Sequence, residues 1–151
     1  MIMIISLLIL TSLILGRPVD RLAAKLDGTD WTRLALDAWD KIVLYSKRIG
    51  RDATRPVLTF FYTMQDESLS SVDRALIYAA IIYTLVPRDF LPKSIFGWLG
   101  VIDDAGAMAF VYAKVKKSIT PELKNRAEDT LSDWFGQETV VGFADMDTRH
   151  L

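Results

Sequence analysis

Residues 72–117 read VDRALIYAAIIYTLVPRDFLPKSIFGWLGVIDDAGAMAFVYAKVKK, and they form the most informative segment of the chain. Two apolar helical runs are joined in it by a turn rich in Pro and Gly. The first run, 75–86, is apolar on every face, which predicts burial by protein or lipid. At about 1.5 Å per residue, a helix over 72–86 is roughly 22 Å long, shorter than the about 30 Å hydrocarbon core of a bilayer. With a second helix over 104–118, the stretch predicts a central helical hairpin.

Two further segments precede this hairpin. Asp30 is a predicted N-cap, and apolar residues at spacings of three and four predict an amphipathic helix over 31–49. Gly50 is expected to end that helix. Residues 56–64 predict another apolar turn or two of helix, and Ser70 or Ser71 is expected to cap the first arm of the hairpin.

A last helix follows the hairpin. Thr120 is a predicted N-cap, Pro121 suits the first helical position and Gly136 is expected to end the helix. The sequence has neither a strand-like alternation nor a repeat. We therefore predict an all-α protein, a small helical bundle built around a central apolar hairpin, with an N-terminal hydrophobic helix. The predicted parts are a hydrophobic N-terminal segment, amphipathic helices, a helical domain and a mobile tail, over residues 1–16, 17–54, 55–136 and 137–151.

The N-terminal segment, residues 1–16, has no charged side chain. It falls short of the about 17 to 20 apolar residues that span a bilayer, and it lacks the basic start and cleavage site of a secretory signal. We expect a short uncleaved anchor. The alternatives are a hydrophobic helix buried in the protein or against a partner, and a poorly formed signal. Arg17, Arg21 and Lys25 follow, so an anchor would leave the rest of the chain in the cytoplasm.

Composition excludes several classes of chemistry. The chain has no cysteine, and its only histidine is the penultimate residue, His150. Zinc clusters and thiolate or histidine-based catalysis are therefore not expected. The formal net charge is −1, so no basic field is available to bind nucleic acid. No small-molecule substrate or cofactor is evident, and any bound metal would be a hard cation held by oxygens.

Three carboxylates lie at the joints of the hairpin: Asp89, Asp103 and Asp104. In one interpretation they cap helices and interact favourably with the helix dipole. In the other they converge at one end of the hairpin and bind Mg²⁺ or Ca²⁺. We expect helix caps, and the metal site is the alternative.

Alanine recurs at every fourth residue in both arms of the hairpin. Ala75 and Ala79 belong to the first arm, and Ala105, Ala109 and Ala113 to the second. Small residues at this spacing let helix backbones approach closely. The pattern predicts close packing along both alanine faces.

The run ALIYAAIIYTLVPRDFLPKSIFGWLGVIDDAGAM resembles the diagnostic core of the YkvA-like family, a domain of unknown function. The family pattern falls here on Pro87, Asp89, Pro92, Gly100 and the pair Asp103–Asp104. The resemblance covers about residues 56–135. Relatives often carry an acid where this chain has Lys93. The resemblance implies a helical, membrane-associated protein without an established activity and with no assigned catalytic residues.

We therefore expect a membrane-associated protein that acts as an interaction or scaffold component and has no catalytic activity. Its expected partners are membrane lipid and either a membrane protein or a second copy of the chain, with the bulk of the chain in the cytoplasm. The alternative is an ion- or metal-handling membrane protein that uses Asp89, Asp103 and Asp104.

Overall fold

The computed structural model describes residues 2–87 and 104–136. Within these ranges the chain forms α-helices joined by turns, with no strand, and the all-α class is confirmed. The helices are α1 (Ile2–Ile14), α2 (Asp20–Ala24), α3 (Trp31–Thr63), α4 (Ser71–Leu85), α5 (Asp104–Val115) and α6 (Pro121–Phe135). A 3₁₀ turn, Lys116–Ser118, follows α5.

At the start of three helices a short polar side chain accepts a hydrogen bond from the backbone. Asp30, Ser70 and Thr120 each accept a bond from the backbone N–H three residues later, at 3.1, 3.1 and 3.2 Å. The first N–H groups of a helix have no partner within the helix, so these bonds satisfy one of them at each start. The N-caps predicted at these positions are confirmed.

Helix α3 reverses direction at Gly50. Its two arms, 31–49 and 51–63, lie side by side, and the rings of Trp39 and Phe61 are 5.0 Å apart between centroids. In a straight helix these residues would be about 33 Å apart. Gly50 has φ 86° and ψ 173°, a conformation that is open essentially only to glycine. The reversal turns one amphipathic sequence into a pair of antiparallel helices.

The turn at Gly50 is closed by a side chain of the second arm. The Thr54 hydroxyl donates to the Gly50 carbonyl at 2.6 Å and lies 3.3 Å from the Ser46 carbonyl. The predicted break at Gly50 is therefore confirmed, but helix resumes at once. The apolar turn expected over 56–64 belongs to the longer arm 51–63. The predicted boundary between residues 54 and 55 falls inside that arm.

Helix α4 lies at the centre of the core. It is buried from Ala75 to Tyr83 and again at Leu85, and it packs against α1, α3 and α5. Ala75 and Ala79 are fully buried, in keeping with close packing along the alanine face of this helix. An apolar helix without a polar face requires burial on all sides, and its three neighbours provide it.

Helix α1 packs against α4, with Leu7, Ile9 and Leu10 fully buried. Part of α1 is therefore covered by α4, whereas Ile2 and Leu8 are partly exposed. Its function as an anchor stays a prediction. None of the helices in the described ranges combines the length and the apolar character needed to cross a membrane.

Helix α5 turns a different face to the core from the one predicted. Ala107, Val111 and Val115 are buried, whereas Ala109 and Ala113 are exposed. The prediction of packing along Ala109 and Ala113 was wrong. Burying an alanine side chain gains little free energy because its apolar surface is small. Burying the larger side chains of Val111 and Val115 gains more, so their face of the helix is the one that packs against the core.

Candidate functional site

The predicted carboxylate cluster lies largely outside the described residues. Asp89 and Asp103 fall in the gap between 87 and 104, and Asp104 is the first residue of α5. The described residues contain no group of three or more acidic, histidine or cysteine side chains that could hold a metal ion. The metal site at these three positions stays a prediction.

The outer face of α3, defined here as Leu36, Val43 and Leu44, is exposed and apolar. These side chains are 62, 52 and 70% exposed. They lie on one side of the arm 31–49 because seven or eight residues bring a helix back to the same side. Single exposed apolar residues are ordinary, whereas three large ones within about two turns make this side of the helix a candidate contact surface.

Charged side chains lie among the residues of this outer face and along its edge. Arg33, Asp40 and Lys47 are exposed at the intervening positions of the same helix. Arg48 is also exposed, and its guanidinium donates to the Leu85 carbonyl at the end of α4. The border is therefore rich in basic groups, with Asp40 as an opposing charge.

A cavity of about 560 Å³ opens between the arm 51–63, α5 and α6. Its walls are mainly apolar, and they are formed by Pro56, Phe60, Met108, Ala109 and Tyr112. Phe60 is almost fully buried, whereas Tyr112 is 46% exposed. The cavity thus runs from the packed interior to the surface.

The rim of this cavity is charged. Arg55 Nε donates to Glu128 Oε1 at 2.5 Å, and Arg55 Nη1 lies 3.3 Å from Asp52 Oδ1. The hydrogen bond to Glu128 raises the pKa of Arg55 above its usual value. Lys124 also lines the cavity, and it makes no ion pair with any residue in the described ranges.

A second polar cluster ties the first arm of α3 to α4. Asp37 accepts hydrogen bonds from Lys41 Nζ at 2.8 and 2.9 Å and from the Tyr78 hydroxyl at 2.5 Å. Burial alone would raise the pKa of Asp37, but the bonds from Lys41 and Tyr78 outweigh it and lower that pKa below its usual value. Burial, together with the bond to Asp37, raises the pKa of the Tyr78 phenol. The Asp37 carboxylate is already bonded to Lys41 and Tyr78, so this cluster links the two helices and has a structural role.

Both of these surfaces were missed in the sequence analysis, although the sequence carries a signal for the outer face of α3. A helix over 31–49 with Ala38 and Ile42 on its buried face places Leu36, Val43 and Leu44 on the opposite, polar side. Large apolar residues on that side are the signal. No comparable signal marks the cavity, because its walls come from three segments that are distant in sequence.

These features define a small all-α protein with an apolar central helix and an exposed apolar face. A family described as "Protein of unknown function (DUF1232)" matches residues 73–110, from α4 into α5. The "Uncharacterized membrane protein YkvA" of Bacillus subtilis (strain 168) is 32% identical over 78 residues, which cover 48% of this chain and 73% of that protein. The chain belongs to the YkvA-like family. No solved structure matches it.

Proposed function

We propose that this protein is a membrane-associated interaction or scaffold component without catalytic activity, and that the outer face of α3 is its membrane contact. The exposure of Leu36, Val43 and Leu44 on one side of a helix carries the proposal. A helix with this pattern can lie in the membrane interface with its apolar side chains inserted. The relative in Bacillus subtilis is named a membrane protein, which supports membrane association but does not bear on which face makes the contact.

The charges around the outer face favour a lipid surface. Arg33 and Lys47 lie among the apolar side chains, as does the opposing charge of Asp40, and Arg48 lies at the edge. A basic residue near an anionic membrane surface contributes about 1 kcal/mol of attraction, and its long side chain can keep the charge in water while the stem contacts lipid. A cytoplasmic leaflet carries such anionic lipids, so we place the bulk of the chain in the cytoplasm.

In this proposal α4 and α5 are the arms of the central hairpin, and α1 covers α4. Support comes from the contacts of α4 with α1 and α5 and from the burial of α4 on every side. Partners beyond lipid, either a membrane protein or a second copy of the chain, would meet the molecule at the membrane surface.

The test is flotation of the full chain with vesicles that contain an anionic lipid such as phosphatidylglycerol. Leu36→Gln with Leu44→Gln removes two apolar side chains from the outer face. Burial of one leucine is worth about 1.5 kcal/mol or more, so the pair should weaken vesicle binding on the order of a hundredfold. Leu15→Gln is the matched control because it makes the same leucine-to-glutamine change at another exposed position, outside the outer face of α3.

Equal loss of binding in the control and the double variant would contradict the proposed contact, as would unchanged binding in the double variant. Deleting residues 1–16 is a poor alternative test. Leu7, Ile9 and Leu10 are fully buried in the bundle, so the deletion would uncover core surface and alter membrane binding for that reason alone.

A further inference from the structure

We propose that the cavity between the arm 51–63, α5 and α6 binds a single acyl chain with an anionic head group, the fatty-acid carboxylate being the simplest case. The site is separate from the outer face of α3, and the inference does not rest on the proposed membrane contact. Its volume of about 560 Å³ is that of a small-molecule site.

The inner walls suit an unbranched hydrocarbon chain. Phe60 and Met108 present apolar surface, and a methionine side chain adapts to a flexible ligand. The hydroxyl of Thr59 already donates to the Arg55 carbonyl at 3.1 Å. At Phe60, Met108 and Thr59 the inner walls therefore offer no uncommitted donor, and an acyl chain needs none, whereas the hydroxyl-bearing Tyr112 lines the exposed part of the cavity.

The charge at the rim selects the head group. Arg55 is paired with both Glu128 and Asp52, so its guanidinium is not available to a ligand, and the Glu128 carboxylate of this pair also lines the cavity. Lys124 is exposed, lines the same cavity and has no ion-pair partner among the described residues. Its ammonium group is therefore available at the solvent side for a carboxylate, while the chain lies inside.

The first experiment is calorimetric titration of the full chain with octanoate, decanoate and dodecanoate below their micelle-forming concentrations. We expect one ligand per chain and about fourfold tighter binding per methylene, hence about fifteenfold between successive members of the series. Dodecyltrimethylammonium has the same chain length with a cationic head, and it should bind more weakly than dodecanoate. A ratio well above one ligand per chain, or equal affinity for both heads, would overturn the proposal.

Variants then locate the site. Ala109→Trp places a large side chain in the cavity from an exposed position, and it should abolish dodecanoate binding. Ala113→Trp, one turn further along α5 at another exposed position, is the matched control and should bind normally. Binding that survives Ala109→Trp would overturn the proposed site.

Lys124→Gln should weaken dodecanoate binding about fivefold, the upper end for an exposed ion pair, and Lys116→Gln should leave it unchanged. If circular dichroism shows that Ala109→Trp is not folded, the two lysine variants still test the proposal. Vesicle flotation of Ala109→Trp should remain normal. Failure of the acyl-chain site is therefore distinguishable from failure of the membrane contact.

Discussion

The change Gly50→Ala tests the reversal of α3 directly. An L-residue held at φ 86° and ψ 173° costs about 1–3 kcal/mol. A β-carbon at Gly50 would have no atom within 4 Å, so the cost is conformational and not a clash. Alanine also lowers the entropy of the unfolded chain, which offsets about 0.4–1 kcal/mol. We expect a net loss of about 1–2 kcal/mol in the free energy of unfolding.

The measurement is urea unfolding of the full chain followed by circular dichroism, with a thermal melt beside it. For a protein of this length the loss corresponds to a fall of about 2–8 °C in Tm. D-alanine at position 50, introduced by semisynthesis, is the sharpest control. Its mirror-image preferences favour positive φ with this ψ, so it should keep or raise the stability.

The reversal itself can be measured as a distance. The chain has no cysteine, so Thr32→Cys with Gln65→Cys provides two unique sites for spin labels. Both residues line one pocket in the structure, whereas a straight helix would separate them by about 50 Å. An unchanged or higher stability of Gly50→Ala would contradict the conformational role of Gly50. A label distance in the native protein near that of a straight helix would contradict the reversal of α3.

Two further predictions concern carboxylates. The pKa of Asp37 is lower in the folded than in the unfolded protein. The stability that its carboxylate adds to the fold is therefore complete above the unfolded-state pKa of about 3.8, and it is lost as the pH falls through the lower folded-state pKa. Urea unfolding at pH 7, 4 and 3 should show this acid-dependent loss in the native protein and a smaller one in Asp37→Asn; equal losses would contradict it. At pH 7, Tyr78→Phe should cost about 1 kcal/mol, since Asp37 keeps Lys41 and some solvent. If Asp104 is a helix cap and not a cation ligand, thermal melts with and without Ca²⁺ or Mg²⁺ should coincide, and Asp104→Asn should cost about 1 kcal/mol or less. A cation-dependent rise in Tm that Asp104→Asn removes would instead support the ion site.

Local features of the fold could be predicted because they depend on neighbours in sequence. Asp30, Ser70 and Thr120 bond to N–H groups three residues away, so residue type and position are sufficient to identify a cap. Burial of α4 could be predicted for a similar reason. A helix without a polar face has no side that water can cover at low cost.

The candidate surfaces were harder to predict. Leu36, Val43 and Leu44 could be placed on one side of a helix from their spacing, but their exposure depends on where neighbouring helices pack. The cavity was not foreseeable, because Phe60, Met108 and Lys124 come from three segments.

Residue types and their spacing were sufficient to predict that the described part of the chain is helical, where several helices start, and that α4 is buried. The remaining features depend on contacts between distant segments. Gly50 permits both the end of a helix and a reversal, and the contact of Trp39 with Phe61 accompanies the reversal. The bond between Asp37 and Tyr78 joins residues 41 positions apart. Such contacts form only when packing brings distant segments together, and local spacing carries no record of which segments will meet.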